Sequence, residues 1–296
     1  MRILCTGSKG FVGTETCKLL KENGHEVIGY DLMDGYDVRD SELFESVIEN
    51  AYKYTIERGV IKGCNIDRIL HLAAIARFDE ADNNPILTHE TNVLGTINVV
   101  EVAKKYHIPL VFAGTGSEYM PIFGDPPIDE NFPIKGNSVY GCSKALADLY
   151  VQTHTPHIVL RYAHLYGAEK RYHGLIGGFA SRIEHDLEPV LYGGKQSNDF
   201  CYIKDVAAAN LQALEASWDK WNAVYNIGTG QELSAEEAGR AVCDVLSYTG
   251  KVQVKEQRTV DAERFVFDIS KARTKLGYEP QFTFRQGLED MFKGEE

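Results

Sequence analysis

The chain has 296 residues, 44% of them hydrophobic and 25% charged, which is enough to bury the core of one large domain or two closely joined ones. Aliphatic and aromatic residues spread along the whole chain exclude intrinsic disorder, and no apolar stretch approaches the roughly 20 residues that cross a bilayer. The formal net charge of -12 argues against a nucleic-acid or anionic-membrane partner, although a few local arginines would suffice for a small anionic substrate.

The amino-terminal segment and the cysteines indicate the compartment. Residues 1–7 lack the long apolar region and the cleavage site of a signal peptide, so we expect a cytoplasmic protein. The six cysteines are scattered and form no CxxC pair, which predicts reduced, buried thiols and no metal site.

Short apolar runs alternate with helical patterns along the first 166 residues. Ser41 is a candidate N-cap for the second of the predicted helices. The predicted strands are 2–5, 26–30, 68–72, 110–113 and 158–161, and the predicted helices are 11–23, 41–58, 85–106 and 138–153. Such alternation predicts right-handed βαβ crossovers and an α/β fold with a doubly wound parallel sheet. Turn signals increase after residue 166, so 168–194 and 229–296 are interpreted as a smaller, discontinuous part beside the sheet. Within the first part, the polar stretch 50–66 is interpreted as a local elaboration.

A glycine loop joins the first predicted strand to the first helix. Its spacing is GxxGxxG, from Gly7 through Gly10 to Gly13, and the next strand ends at Asp31, 24 residues after Gly7. Glycines permit close approach of a pyrophosphate, and a helix N-terminus supplies amides and positive potential. A carboxylate at position 31 would accept hydrogen bonds from the adenosine ribose and repel a 2′-phosphate, favouring NAD over NADP. The alternative interpretation is that Asp31 is a solvated aspartate at a strand end that binds no cofactor.

A second constellation pairs Tyr140 with Lys144. Their i,i+4 spacing places both side chains on one helix face, where an ammonium group would lower the phenol pKa and allow proton exchange with a sugar hydroxyl or carbonyl. Thr115 follows another strand, at the sheet edge where ligands bind in open parallel sheets. A solvated helix face and a turn threonine are the alternatives at these positions.

Taken in order, these motifs resemble the extended short-chain dehydrogenase/reductase family, the NAD-dependent nucleotide-sugar epimerases and dehydratases, over nearly the whole chain. The other matching pieces are Asp37-Val38-Arg39-Asp40, His71-Leu72-Ala73-Ala74, Asn92-Val93-x-Gly95-Thr96, Arg161-Tyr162 with Tyr166-Gly167, Asp199-Phe200, Asp205-Val206, Asn226-Ile227-Gly228, and Leu276-Gly277-Tyr278 with Pro280.

The resemblance implies a role for each matched position. Thr115, Tyr140 and Lys144 match the catalytic triad. The implied NAD contacts are Gly7, Gly10, Phe11, Val12, Asp31, Asp37, Val38, Leu72, Ala73, Ala74, Ala76, Asn92, Tyr140, Lys144 and Tyr162. Substrate contacts are expected at Ser117, His164, Asn198 and Arg258, the last gripping a nucleotide diphosphate. The NAD-binding Rossmann part would comprise 1–167 and 195–228, and the nucleotide-sugar-binding part 168–194 and 229–296. A homodimer is the family's usual state.

Departures from the family pattern help to decide which of the family's activities this chain is expected to have. His164 stands where the family often has Asn, Asn198 where it often has Arg, and Met120 where it usually has Gly. Related 4,6-dehydratases carry an Asp-Glu pair directly after the catalytic threonine; here Gly116 and Ser117 follow, and Glu118 comes one place too late. We therefore expect an isomerase, a nucleotide-sugar 4-epimerase. A 4-keto-sugar reductase of the same fold and a non-catalytic NAD-binding regulator are the alternatives, the latter disfavoured by the intact triad.

Overall fold

The computed structural model describes residues 1–57, 66–120, 125–154, 156–167, 174–256 and 263–293. Its strands are β1 (Arg2–Thr6), β2 (Glu26–Tyr30), β3 (Arg68–His71), β4 (Leu110–Thr115), β5 (His157–Tyr162), β6 (His164–Tyr166), β7 (Val190–Tyr192), β8 (Ser197–Asn198), β9 (Phe200–Tyr202), β10 (Ala223–Ile227), β11 (Leu233–Ser234) and β12 (Gln253–Lys255). Its α-helices are α1 (Phe11–Glu22), α2 (Ser41–Glu57), α3 (Phe78–Asn83), α4 (Pro85–His89), α5 (Gly95–Lys105), α6 (Val139–Val151), α7 (Gly174–Glu184), α8 (Ile203–Glu215), α9 (Ala235–Val245) and α10 (Phe284–Phe292).

A six-stranded sheet in the order β10-β5-β4-β3-β1-β2 forms the centre of the molecule, and all of its strand pairs are parallel. From β1 the chain passes to β2 on one side and then to β3 on the other. The topological switch point therefore lies between β1 and β3, where ligands bind in open α/β sheets. The predicted doubly wound Rossmann-type fold is confirmed.

Buried side chains cover both faces of the sheet. Leu4 and Ile69 belong to the cluster formed with α2, α5 and α6, whereas their neighbours Ile3 and Leu70 belong to the cluster formed with α1 and α8. This alternation follows from the two-residue period of a strand. Because both faces are covered, the free ends of the strands are left to form the ligand crevice.

One local prediction is wrong, and the helix predicted over 85–106 is confirmed with an internal π-helical turn that the prediction did not include. Asp40, not Ser41, caps α2, because its Oδ1 accepts a hydrogen bond from Leu43 N–H at 2.9 Å. The single helix predicted over 85–106 consists of α4, a π-helical turn over Glu90–Leu94, and α5. The turn places Asn92 against other segments of the chain, as described below.

Small strand pairs and helices lie beside the main sheet in the later part of the chain. β6 pairs with β9, β7 with β12, and β8 with β11, while α7 packs on α9. The division into two ligand-binding parts stays a prediction. Helix α2 extends to Glu57, and 58–65 of the predicted elaboration lie outside the described residues. None of the helices within the described ranges is long and apolar enough to cross a membrane.

Candidate active site

The glycine loop lies against the segment that follows β3. Gly7 has φ of +65°, and a Cβ there would lie 2.8 Å from Ala73 N, so only glycine fits. A Cβ on Gly13 would fall on the carbonyl oxygen of Gly7. The Thr6 hydroxyl oxygen accepts hydrogen bonds from the N–H groups of Leu72 and Ala73, at 3.1 and 3.2 Å. The two loops at the switch point are thereby held together.

A chain of buried polar groups links this loop to α6. The Thr6 hydroxyl lies 2.6 Å from His71 Nδ1, and His71 Nε2 lies 3.0 Å from the Thr96 hydroxyl. The Thr96 hydroxyl donates to the Asn92 carbonyl oxygen at 2.6 Å, so it accepts from Nε2–H. The Asn92 side chain donates to Ser143 Oγ at 2.9 Å. Burial, and then the charge of Lys144, lowers the pKa of His71 to about 3, so its ring is neutral.

Thr115 and Tyr140 meet at the carboxyl edge of the sheet. Thr115 ends β4, and its hydroxyl lies close enough to the Tyr140 phenol to lower the pKa of that phenol. Tyr140 lies in the first turn of α6, which Ser138 caps by accepting from Gly141 N–H at 3.0 Å. A Cβ on Gly141 would lie 2.7 Å from the carbonyl oxygen of Ser117. This close approach of helix and turn brings the two hydroxyls together.

The expectation that Lys144 lowers the pKa of Tyr140 does not hold in this structure. Burial raises the pKa of Tyr140 to about 12, and the hydrogen bond from Thr115 opposes that shift. Lys144 is itself buried, with Nζ 4.0 Å from the centroid of the Phe112 ring. Burial lowers the pKa of Lys144 to about 8, against the opposing charges of Glu118 and Asp148. The carboxyl groups of Glu118 and Asp148 beneath the site thus favour the charged form of Lys144.

Glu118 points into the protein interior instead of toward the crevice. Its side chain is fully buried: Oε1 accepts from Thr115 N–H at 2.8 Å, and Oε2 accepts from Arg161 Nε at 3.1 Å. Arg161 Nε also donates to Asp148 Oδ2 at 2.7 Å. Burial, and then the charge of Asp148, raises the pKa of Glu118 well above its usual range. The acid that follows Thr115 in sequence therefore does not face a substrate.

Phe265 occupies the space beside Gly116. A Cβ on Gly116 would fall on Phe265 Cζ and lie 3.2 Å from Phe267 Cζ. Both rings are buried and pack together with centroids 5.0 Å apart. An acidic side chain at position 116 has no room in this arrangement, which agrees with the predicted loss of the dehydratase acid pair.

Three of the four predicted substrate residues, Ser117, His164 and Asn198, lie in the part of the chain that the structure describes. Ser117 directly follows Thr115 and Gly116, and its N–H lies 3.3 Å from the Thr115 hydroxyl oxygen. His164 is exposed, its N–H donates to the Asp199 carbonyl oxygen at 3.0 Å, and its ring packs edge-on against Phe265. Asn198 is half-buried in β8. Arg258, predicted to bind a diphosphate, lies outside the described residues.

Several predicted cofactor residues have partners within the protein. The Tyr162 hydroxyl donates to Asn210 Oδ1 at 2.6 Å, toward α8. Val38 is buried, and a Cβ on Gly95 would lie 2.7 Å from its Cγ2. The Asp37 carboxylate binds the Arg39 guanidinium, which lowers the pKa of that carboxyl. Their contacts with a cofactor stay predictions.

Sequence reasoning missed three apolar side chains and the role of one acid. Leu32 and Met33 are exposed directly after Asp31, where an adenosine would lie, and their position after a strand-terminal acid was the available signal. Phe78, also exposed, lies edge-on to Tyr140 with centroids 5.4 Å apart. The inward direction of Glu118 had no local signal, because its partner Arg161 is 43 residues away.

Comparison with known proteins identifies the class. The profile of the NAD dependent epimerase/dehydratase family matches residues 3–228. A putative UDP-glucose 4-epimerase of Methanocaldococcus jannaschii is 31% identical, covering 97% of this chain and 95% of its own length. UDP-glucuronic acid decarboxylase 3 of Arabidopsis thaliana is 27% identical, with coverages of 97% and 87%. The crystal structure of a Thermotoga maritima UDP-glucose 4-epimerase with UDP-glucose has a TM-score of 0.87 and 27% identity, covering 99% of this chain and 98% of that one.

The chain therefore belongs to the NAD-dependent epimerase/dehydratase family, within the extended short-chain dehydrogenase/reductases, and its cofactor is NAD. The residues at the switch point fit this cofactor. The N-cap of α1 is Gly10, a residue of the glycine cradle that has no side chain to cap the helix. The Asp31 carboxylate accepts from Lys9 N–H and Met33 N–H, each at 2.9 Å. A carboxylate has about four acceptor positions, so two remain for ribose hydroxyls.

We expect Asp31→Asn to weaken NAD binding roughly 10- to 100-fold, since a hydrogen bond to a charged group contributes about 1.5–3 kcal/mol. NADP should lose less, because the repulsion of its 2′-phosphate is removed at the same time. Isothermal titration with both cofactors measures the change in discrimination. Asp34→Asn, an exposed acid of the same turn that pairs with Lys9, is the matched control. An unchanged ratio of the two affinities would remove Asp31 from cofactor selection.

Proposed function

We propose that this protein is a nucleotide-sugar 4-epimerase that oxidises C4 transiently and reduces it again on the opposite face. The observation that carries the proposal is the inward direction of Glu118, together with the lack of room for a side chain at Gly116. Thr115 and Tyr140 can exchange a proton with a sugar hydroxyl, yet no acid that immediately follows Thr115 reaches the crevice to eliminate water. Reversible oxidation without elimination corresponds to epimerisation.

The chain's own groups would orient the sugar and move one proton. The Tyr140 phenolate accepts the proton of the C4 hydroxyl, and the Thr115 hydroxyl donates a hydrogen bond to the carbonyl oxygen that develops. Bound NAD supplies the hydride chemistry at C4. After the keto-sugar has turned over, Tyr140 returns its proton to the same oxygen. Net redox is zero, so the glycine cradle and Asp31 must retain the cofactor throughout the cycle.

UDP-sugars are the first substrates to test, because the relatives named above act on them. A proton NMR time course with NAD, no reductant, and UDP-, dTDP-, GDP- and CDP-sugars distinguishes the possible chemistries. We expect a C4 epimer to appear without a lasting gain in NADH absorbance. A 4-keto-6-deoxy product would instead identify a dehydratase, and loss of C6 as carbon dioxide a decarboxylase. An unchanged panel would favour the keto-reductase, which is then assayed with 4-keto substrates and NADH or NADPH. Purified Tyr140→Phe protein controls for contaminating epimerases.

We also propose a homodimer through the face shared by α4, the π-helical turn and α6. These elements pack side by side and leave Ile86, Leu94, Leu146 and Leu149 exposed. A cluster of exposed aliphatic side chains of this kind is typical of an interaction surface.

We expect Leu149→Glu to convert the dimer to a monomer in analytical ultracentrifugation, because the substitution buries a charge in the interface. Leu187→Glu is the matched control, since Leu187 is comparably exposed (50% against 54%) but lies after α7. If both variants sediment like the unmodified protein, the interface lies elsewhere or the protein is a monomer.

A further inference from the structure

His71 bridges two elements that flank the candidate active site. It ends β3 at the carboxyl edge of the sheet, and its side chain is buried. On one side, its Nδ1 lies 2.6 Å from the hydroxyl oxygen of Thr6, the last residue of β1 before the glycine loop. On the other side, its Nε2 lies 3.0 Å from the hydroxyl oxygen of Thr96 in α5. Both ring nitrogens are therefore engaged, each by a different element.

The directions of these hydrogen bonds define the protonation of the ring. The Thr6 hydroxyl oxygen accepts from the two backbone N–H groups of residues 72–73, which fills both of its acceptor positions. It therefore donates its own hydrogen to His71 Nδ1. The Thr96 hydroxyl gives its hydrogen to the Asn92 carbonyl oxygen, so it accepts from His71 Nε2–H. The geometry thus defines a neutral ring with its hydrogen on Nε2.

We propose that His71 is a positioning residue that fixes the glycine loop and α6 relative to each other. Toward the loop, it orients the Thr6 hydroxyl, which holds residues 72–73 at the predicted NAD cleft. Toward α6, it orients Thr96 and the groups that follow it. The first contribution rests on the predicted NAD contacts of residues 72–73, and the second rests on the proposed epimerase function.

The connection to α6 passes through Asn92 and Ser143. Asn92 lies one turn before Thr96, whose hydroxyl donates to the Asn92 carbonyl oxygen at 2.6 Å. The Asn92 side chain donates to Ser143 Oγ at 2.9 Å, and Ser143 Oγ donates to the carbonyl oxygen of Tyr140 at 2.8 Å. Each hydroxyl of this chain both accepts and donates, so a change at His71 is transmitted to the first turn of α6.

The first test needs no substitution. Two-bond ¹H–¹⁵N correlation spectra of labelled protein at pH 7 distinguish a bare imidazole nitrogen from one that carries a hydrogen. We expect a bare Nδ1 and a protonated Nε2 for His71. His157 is the internal control with a hydrogen on Nδ1, because that atom lies 2.5 Å from the His154 carbonyl oxygen, which can only accept. A hydrogen on His71 Nδ1 overturns the proposal.

Two substitutions separate the two contacts of His71. Asparagine can place its amide oxygen near the Nδ1 position and keep an acceptor for Thr6, whereas glutamine can place its amide nitrogen near the Nε2 position and keep a donor for Thr96. His71→Gln should therefore weaken NAD binding roughly 5- to 50-fold, because the Thr6 hydroxyl is left without its acceptor. His71→Asn should stay within about twofold of the unmodified protein. Isothermal titration without any sugar measures both, and equal affinities in the two variants overturn this part.

His157→Asn is the matched control for both variants. His157 is buried at the start of β5, at the opposite edge of the sheet, and an asparagine amide can still donate to the His154 carbonyl oxygen. It should bind NAD like the unmodified protein even if it unfolds more readily. A loss of NAD affinity in His157→Asn equal to that in His71→Gln would show a general effect of stability and overturn the proposal.

Turnover tests the contribution through α6. With saturating NAD, His71→Asn should have a kcat on the order of 10-fold below that of the unmodified protein with a similar KM, because Thr96 loses its donor and α6 its alignment. Combined with Thr96→Val, the loss should be smaller than the product of the two single losses, since both substitutions cut the same contact. A combined loss equal to that product, or a kcat of His71→Asn within threefold of the unmodified protein, overturns this part. The spectra and the NAD titration use no sugar, so a failed sugar panel is a separate result.

Discussion

Tyr140→Phe is expected to lower turnover by about 10²- to 10⁴-fold, the contribution typical of a positioned general acid–base group. The substitution removes only the hydroxyl that faces Thr115, and leaves the ring packed against Phe78. Burial favours the neutral phenol, so the phenolate fraction increases as the pH rises from 6 to 8. We therefore expect the kcat/KM of the unmodified protein to rise over this range and that of the variant to stay flat. The NMR assay with the accepted sugar measures both.

Tyr150→Phe is the matched control for this variant. Tyr150 lies on the same helix, and its hydroxyl donates to Glu101 Oε1 at 2.7 Å, away from Thr115. Both variants should bind NAD and unfold like the unmodified protein, which separates chemistry from folding. Turnover of Tyr140→Phe within threefold of that control would remove Tyr140 from proton transfer. Retained NAD binding without any turnover in the unmodified protein would instead support the non-catalytic alternative.

The sheet was predictable because local residues mark where its strands and helices begin and end. β1, the glycine loop, α1 and β2 are short elements bounded by Gly7, Gly24 and Asp31, and each boundary depends on residues within a few positions. Thr115 and Tyr140 could be brought together from sequence because both lie where parallel strands or their following helices reach the carboxyl edge of the sheet. Fold and cofactor followed from these local signals and from the ordered set of motifs.

Features that depend on distant contacts could not be predicted. The π-helical turn places Asn92 so that its side chain accepts from Ile75 N–H at 2.8 Å and donates to Ile75 O at 2.9 Å, contacts that hydrophobic periodicity does not reveal. The pKa of Tyr140 was predicted from its spacing to Lys144, yet burial decides it, with the hydrogen bond from Thr115 opposing the shift and the charge of Glu118 adding to it. A spacing rule identifies neighbours on one helix but not the charges that other elements bring to them.

Gly13→Ala is expected to destabilise the protein and to abolish its stabilisation by NAD. The new methyl group would fall on the Gly7 carbonyl oxygen and lie 2.8 and 2.9 Å from Ser8 C and Cα, all backbone atoms that cannot rotate away. Either α1 or the loop must move, and such overpacking costs about 1–3 kcal/mol. The movement displaces the amides that would bind the pyrophosphate. Urea unfolding with and without NAD measures both effects, since NAD at 100 times its Kd stabilises a competent protein by about 2.7 kcal/mol.

Gly178→Ala is the control with the same chemical change. Gly178 lies within α7, and a Cβ there meets nothing within 4 Å. Alanine is favoured over glycine inside a helix by roughly 0.5–1 kcal/mol, so this variant should be slightly more stable and should keep the full gain from NAD. The two substitutions are therefore expected to change the free energy of unfolding in opposite directions, because a methyl group has space at Gly178 and none at Gly13. If Gly13→Ala matched Gly178→Ala in both measurements, α1 would not need to approach the loop this closely, and the cradle would not be the site of pyrophosphate binding.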